Sequence, residues 1–197
     1  MSEFPKKKHI TKAEINELPM RQYKGRIILC KTKEEAEVAA GKLLKETLLG
    51  FDTETRPAFR KGESYDPSLL QLATEDEVYL FLIQQCGLTP NLLKLLSSPD
   101  IIKAGVALER DVSELQALAE FQPNGFVELA TVAKEANIKN LGLRGLTAIL
   151  FDFRISKKEQ VSNWARKELT DSQQTYAATD AWLGRKIYLS FKDNGFI

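Results

Sequence analysis

The run TLLGFDTET, residues 47–55, places two carboxylates two positions apart in a stretch that otherwise reads as a buried strand. Asp and Glu are poor strand formers and are rarely buried without a partner. Side chains alternate along a strand, so Asp52 and Glu54 share one face. Two carboxylates crowded there repel, and each resists ionising while the other is charged. A chain that keeps this run inside its fold needs positive charge between the two acids.

The remaining composition narrows what that charge is. The chain has 197 residues, 43% apolar and 9% aromatic, enough for one domain with a sizeable core. Net charge is +1, so any basic surface for nucleic acid has to be local. There is one histidine, His9, which all but rules out a zinc site or a Ser-His-Asp triad. Cys30 and Cys86 lie in apolar surroundings without a CxxC spacing and read as reduced core thiols of a cytoplasmic protein. No stretch approaches the roughly 18 apolar residues of a membrane span, and the N-terminus lacks an apolar signal core. The expectation is a soluble intracellular protein with no membrane partner.

Residues 1–22 are polar and read as an arm, with the run Lys6 to Lys8 solvated. Residues 23–197 form the expected single domain. RIILC is a strand, KTKEEAEVAAGKLLKE an amphipathic helix, LLGFDTET a strand and RPAFRKGESYDPS a loop. SLLQLAT and EVYLFLI read as a hairpin beside the acid-bearing strand. IIKAGVAL is a further buried strand, with a helix opening near Asp111. FVELATVAKEAN and GLRGLTAILF give helices. TDSQQTYAATDAWLGRKIYLSF is the clearest helix, capped by Thr170 or Asp171 and followed by Gly195. Strands at hairpin spacing followed by alternating strands and helices predict an α/β domain with a mixed sheet.

The last helix carries a second acidic anomaly. Tyr176 and Asp180 lie four apart on one face, among Ala177, Ala178 and Ala181, whose small side chains let a helix press against a sheet. Asp111 follows a buried strand where a helix opens, and a helix-cap role is equally open to it. A fold that gathered Asp52, Glu54, Asp111 and Asp180 without cations would carry a heavy desolvation and repulsion cost. Divalent metals remove that cost, and an oxygen-only ligand set suits Mg²⁺ or Mn²⁺ rather than Zn²⁺.

FDTET, GVALERD and YAATD, in that order, resemble the three exonuclease motifs of the DEDD superfamily of 3′–5′ exonucleases. The branch is the one with a tyrosine four residues before the last aspartate; the histidine of the other branch is replaced here by Thr175. The resemblance runs over about residues 25–192, is greatest to Werner-type exonuclease domains, and is weaker to RNase D-type enzymes. It implies an RNase H-like fold with a central mixed sheet flanked by helices. It also implies hydrolysis of terminal phosphodiester bonds with two divalent ions, Mg²⁺ or Mn²⁺, releasing nucleoside 5′-monophosphates. Asp52, Glu54, Asp111 and Asp180 would be the ligands, and Tyr176 would aim the attacking water rather than serve as base.

The implied partner is nucleic acid with a free 3′ end, DNA or RNA, and a separate helicase or repair partner is compatible with the length. Candidate substrate contacts are Thr53, Leu108, Trp164 and Arg166, with Arg56, Arg60, Lys61 and Lys167 as further cations. Core packing is an equal reading for Leu108 and the stronger one for Trp164. Two other functions remain open: a catalytically silent module that grips an end or a protein, and a phosphohydrolase of small nucleotides.

Overall fold

The acid-bearing run lies in the middle of a six-stranded mixed sheet. The structure, a computed structural model, describes residues 4–60 and 62–197. Its elements in chain order are α1 (Lys12–Glu17), β1 (Arg26–Cys30), α2 (Lys33–Leu43), β2 (Leu48–Thr55), β3 (Pro67–Ala73), β4 (Glu77–Phe81) and α3 (Ile83–Cys86). There follow α4 (Pro90–Ser97), β5 (Ile102–Gly105), α5 (Leu108–Leu118), β6 (Phe126–Glu128), α6 (Leu129–Glu135), α7 (Leu143–Phe151) and α8 (Asp171–Asp193). The strands lie side by side in the order β1-β4-β3-β2-β5-β6. The β2–β3 and β3–β4 pairs are antiparallel, and the β1–β4, β2–β5 and β5–β6 pairs are parallel. This is the mixed sheet flanked by helices that the sequence predicts.

Alternation along β2 decides which layer each residue serves. Leu49 and Phe51 join a core with Ala36, Ala40, Leu92 and Leu95 of α2 and α4. The opposite side of the sheet packs on α8, where Leu69, Ala73 and Leu80 meet Ala177, Ala178 and Ala181. The acids Asp52 and Glu54 share the parity of Leu48 and Gly50, so they face α8.

Two glycines let that helix come close. A Cβ on Gly50 would sit 1.9 Å from the carbonyl oxygen of Ala181, and one on Gly184 would sit 2.5 Å from that of Ala104. The α8 backbone therefore rests directly on β2 and β5. Thr170 starts α8 with a capping box, its hydroxyl accepting from the Gln173 amide while the Gln173 side chain accepts from the Thr170 amide. That fixes the helix register, and with it the level of Tyr176 and Asp180.

Three expectations are corrected. β5 stops at Gly105, and α5 opens at Leu108, three residues before Asp111, after Ala107 adopts a left-handed conformation at φ 64. Asp111 is therefore no helix cap. The Leu108 amide donates instead to the Glu128 carboxylate, 2.8 Å away at the end of β6, and the other oxygen of Glu128 accepts from the Ala130 amide at the start of α6. FVELATVAKEAN divides accordingly into β6 and α6.

The N-terminal arm is packed against the domain. Ile10 and Ile15 are buried, and the Lys8 ammonium, expected in solvent, donates to the backbone carbonyls of Phe4 and Ala136. Lys6 and Lys7 are exposed as expected. Cys30 and Cys86 are buried and unpaired, and burial pushes their thiols up to about 12 and about 11. No helix among the described residues is long and apolar enough to cross a membrane.

Gly50→Ala is expected to cost about 3 kcal/mol or more in urea unfolding, because its methyl group meets backbone that cannot rotate away. The displaced α8 should also weaken Mn²⁺ binding. A variant as stable as wild type would contradict the close contact.

Candidate active site

β2 and β5 are paired only from Leu48 to Gly50, against Ile102 to Ala104. Beyond Gly50 the β2 backbone loses its partner on that side, because β5 gives way to the turn through Val106 and Ala107. A cleft of about 630 Å³ opens there, at the carboxyl ends of two parallel strands, where open α/β sheets place their ligands. Asp52, Glu54, Tyr176 and Asp180 line it.

One carboxylate oxygen from each of Asp52, Glu54 and Asp180 lies within 4.8 Å of the others. Asp180 is 8% exposed; the other two are half-buried. Among the described residues no Lys or Arg forms an ion pair with any of the three. Burial is the first cause that holds their acidity down. It raises Asp52 well above the ordinary carboxylate range, helped by the charges of Asp180 and Asp111. It raises Glu54 likewise, with Asp52, Asp180 and Asp111 adding to it. Asp180 is pushed up to about 7 by burial, against a smaller lowering by the Tyr176 hydroxyl.

Asp111 stands outside this three-acid group, although its charge is felt there. Burial raises it to about 6. The Tyr176 phenol is raised above its ordinary value by burial, then by Asp180, Glu54 and Asp52, so it keeps its proton at neutral pH. The Tyr176 ring packs against Trp164, centroids 5.9 Å apart.

The donor set fits a divalent cation. Three oxygen donors converge, burial discourages each from ionising, with neighbouring charges adding to it at Asp52 and Glu54, and among the described residues no protein cation pairs with them. Asp52, Glu54 and Asp180 are the residues that would hold such an ion.

The expected substrate contacts fare unevenly. Trp164 is 2% exposed and offers no face to a base; it buttresses Tyr176 from the core. Leu108 is 3% exposed and packs in the core with Phe51, so its side chain presents no wedge at the surface. Thr53 lines the cleft, its amide donating to the Asp52 carboxylate at 2.9 Å. Arg166 and Lys167 are exposed and lie outside the cleft lining. Arg56 stacks over the Tyr65 ring at 4.6 Å, and Arg60 approaches Glu63 at 4.0 Å. Lys61 lies outside the described residues.

One buried group has no signature in the sequence. Gln71 is 0% exposed, lies opposite Asp52 on β3, and neither its amide nitrogen nor its oxygen has a partner. Directly opposed residues share a face, so this unsatisfied amide sits beside the acids. It stands in an apolar run, SLLQLA, whose pattern does not distinguish it from a solvent-facing strand residue.

Fold and acid cluster together define an RNase H-like nuclease domain. The chain belongs to the 3′–5′ exonuclease family, whose model matches residues 27–195. It is 32% identical over 181 residues to the mouse bifunctional 3′–5′ exonuclease/ATP-dependent helicase WRN, covering 87% of this chain and 13% of that protein. It is 29% identical over 166 residues to ribonuclease D of Gluconacetobacter diazotrophicus, covering 82% of this chain and 41% of that one. The chain thus spans less than half the length of either relative. Among solved structures it resembles the Aedes aegypti Nibbler EXO domain, with a TM-score of 0.78, 24% identity, and 89% and 91% of the two chains covered.

The raised acids set a pH dependence. A carboxyl that holds its proton more tightly folded than unfolded contributes stability below its unfolded value and loses it as pH rises through the folded one. With Asp111 at about 6 and Asp180 at about 7, the metal-free protein should lose stability as pH climbs from about 4 to about 7. Saturating Mn²⁺ should remove most of that loss. Melting temperatures across this range check it, and a metal-free curve that rises throughout would contradict the shifts.

Proposed function

We propose that this protein is a metal-dependent 3′–5′ exonuclease that hydrolyses terminal phosphodiester bonds of nucleic acid and releases nucleoside 5′-monophosphates. The observation that carries the reading is the convergence of Asp52, Glu54 and Asp180 without an ion-paired Lys or Arg among the described residues, in a chain of the exonuclease family. The relatives' names speak for the reaction; the acids supply the means.

Asp52, Glu54 and Asp180 would hold the principal divalent ion, Mg²⁺ or Mn²⁺, and Asp111, electrostatically close to Asp52, would serve a second with it. Such ions would supply positive charge for the phosphate and the departing oxygen and would make the attacking water more acidic. The protein groups do the positioning. β2 and α8 hold three carboxylates against their own repulsion, so little reorganisation remains when the strand enters. Tyr176 stays protonated and cannot act as base. Its hydroxyl, aimed toward Asp180 and braced by Trp164, orients the water that attacks the terminal phosphorus. The water oxygen bonds to phosphorus as the bond to the 3′ oxygen of the preceding nucleotide breaks. That oxygen takes up a proton and becomes the new 3′ end.

Asp52→Ala and Asp180→Ala should each lower kcat on 5′-labelled oligonucleotides by on the order of 10³-fold, as several kcal/mol of charge stabilisation is lost. Their melting temperatures without metal should match or exceed wild type. Tyr176→Phe should lower kcat about tenfold, one hydrogen bond's worth, with KM little changed. Matched DNA and RNA strands assign the sugar. A wild-type protein that binds the strands but releases no nucleotide in Mg²⁺ or Mn²⁺ would replace this reading with that of a silent binding module.

A further inference from the structure

The cleft has a second, oppositely charged wall. Lys12, Arg144 and Lys157 line the same space as the acids, from α1, α7 and the segment that precedes α8. Among the described residues, none of the three forms an ion pair with a carboxylate. Three cations facing one cleft without acidic partners suit an anion that arrives from outside.

The segment that brings Lys12 there precedes the residues matched by the family model, which begin at residue 27. It is nevertheless fastened to the cleft. Asn140, which also lines the cleft, accepts from the Ile10 amide at 2.9 Å and donates to its carbonyl at 3.0 Å. The Lys139 amide donates to the Lys8 carbonyl at 2.8 Å. The Arg144 guanidinium donates to the Asn16 side chain at 2.6 Å, which ties α7 to α1 and fixes the plane of the guanidinium. Thr11 and Glu14 close a capping box, and Ile10 and Ile15 are buried. Lys12 therefore projects from a short helix locked at both ends.

We infer that α1 and α7 form the seat for the backbone of a single-stranded nucleic acid, with Lys12, Arg144 and Lys157 holding phosphates upstream of the bond presented to the acids. The inference rests on the exonuclease reading and adds the path of the strand. Acids and cations divide the cleft between two tasks: the first need metal before any phosphate can approach, and the second draw the strand in without metal. Arg144 supplies a planar fork held in one orientation, whereas the two lysines act as point charges that tolerate any sequence. The N-terminal segment is then part of the substrate site.

The test compares wild type, Lys12→Ala/Lys157→Ala, and the triple variant with Arg144→Ala added. Fluorescence anisotropy of a labelled twelve-nucleotide single strand is followed against salt without divalent metal, where no cleavage occurs. Each released phosphate contact removes about 0.7 from the salt slope of a single strand, so the double variant should be shallower by about 1.4 and the triple by about 2. In Mn²⁺, kcat/KM on the oligonucleotide should fall with the slope. Turnover of the p-nitrophenyl ester of thymidine 5′-monophosphate, which has no upstream phosphate, should not change.

The double variant guards against misfolding, since Lys12 and Lys157 are exposed and make no ion pair. Unchanged slope and affinity in both variants would overturn the inference, as would a parallel loss on the ester. If the wild type released no nucleotide at all, the exonuclease reading would fall while the salt slopes still judged the strand path.

Discussion

Three half-buried or buried carboxylates face one another, paired with no Lys or Arg among the described residues, and this uncompensated charge is the constraint around which the domain is arranged. Left alone, Asp52, Glu54 and Asp180 resist ionising, through burial first and through neighbouring charge at Asp52 and Glu54, and they make the folded state less stable as pH rises. A native state of a few kcal/mol tolerates such a defect only if the rest of the fold over-determines it. The surrounding architecture does so. Asp52 and Glu54 are fixed by a strand paired across to β3, and Asp180 by a 23-residue helix whose register is set at its N-cap.

The close approach of α8 turns that arrangement into a site. Gly50 and Gly184 remove the side chains that would hold the helix away, and Ala177, Ala178 and Ala181 fill the seam with small, fully buried contacts. The same pressing of helix on sheet places the unsatisfied amide of Gln71 under the acids. Stability is given up at one point, and the loss is offset by apolar cores on both faces of the sheet. Local rules are broken where the chemistry lies and kept elsewhere.

Much of this arrangement is legible in the amino-acid sequence. Period-two alternation alone puts Asp52 and Glu54 on one face, and four-residue spacing puts Tyr176 beside Asp180. The features that are not legible depend on contacts distant in sequence. Asp111 reads locally as a cap because the Ala107 turn and the carboxylate of Glu128 that serve α5 lie outside any short window. Core burial is the stronger sequence reading for Trp164, but the polar run SNWARKEL carries no sign that the ring lies against Tyr176. The N-terminal segment carries a readable signal, Thr11 followed three residues later by Glu14, the pattern of a capping box. The three preceding lysines mask it, because a charge run so near a terminus reads as solvated. What no local pattern supplies is that α1 closes one wall of the cleft, because the groups that hold it there, Asn140 and Arg144 among them, lie more than a hundred residues later.

Proton release on metal binding tests the central claim most directly. Calorimetric titration of Mn²⁺ into the protein near pH 6.5, repeated in buffers of different ionisation enthalpy, counts the protons expelled as the carboxylates take the ion. Saturable binding should release protons at this pH, release fewer near pH 8, and be lost in Asp52→Asn/Asp180→Asn. Binding without proton release at either pH, or an equal heat from the double variant, would show that these acids do not hold the metal together.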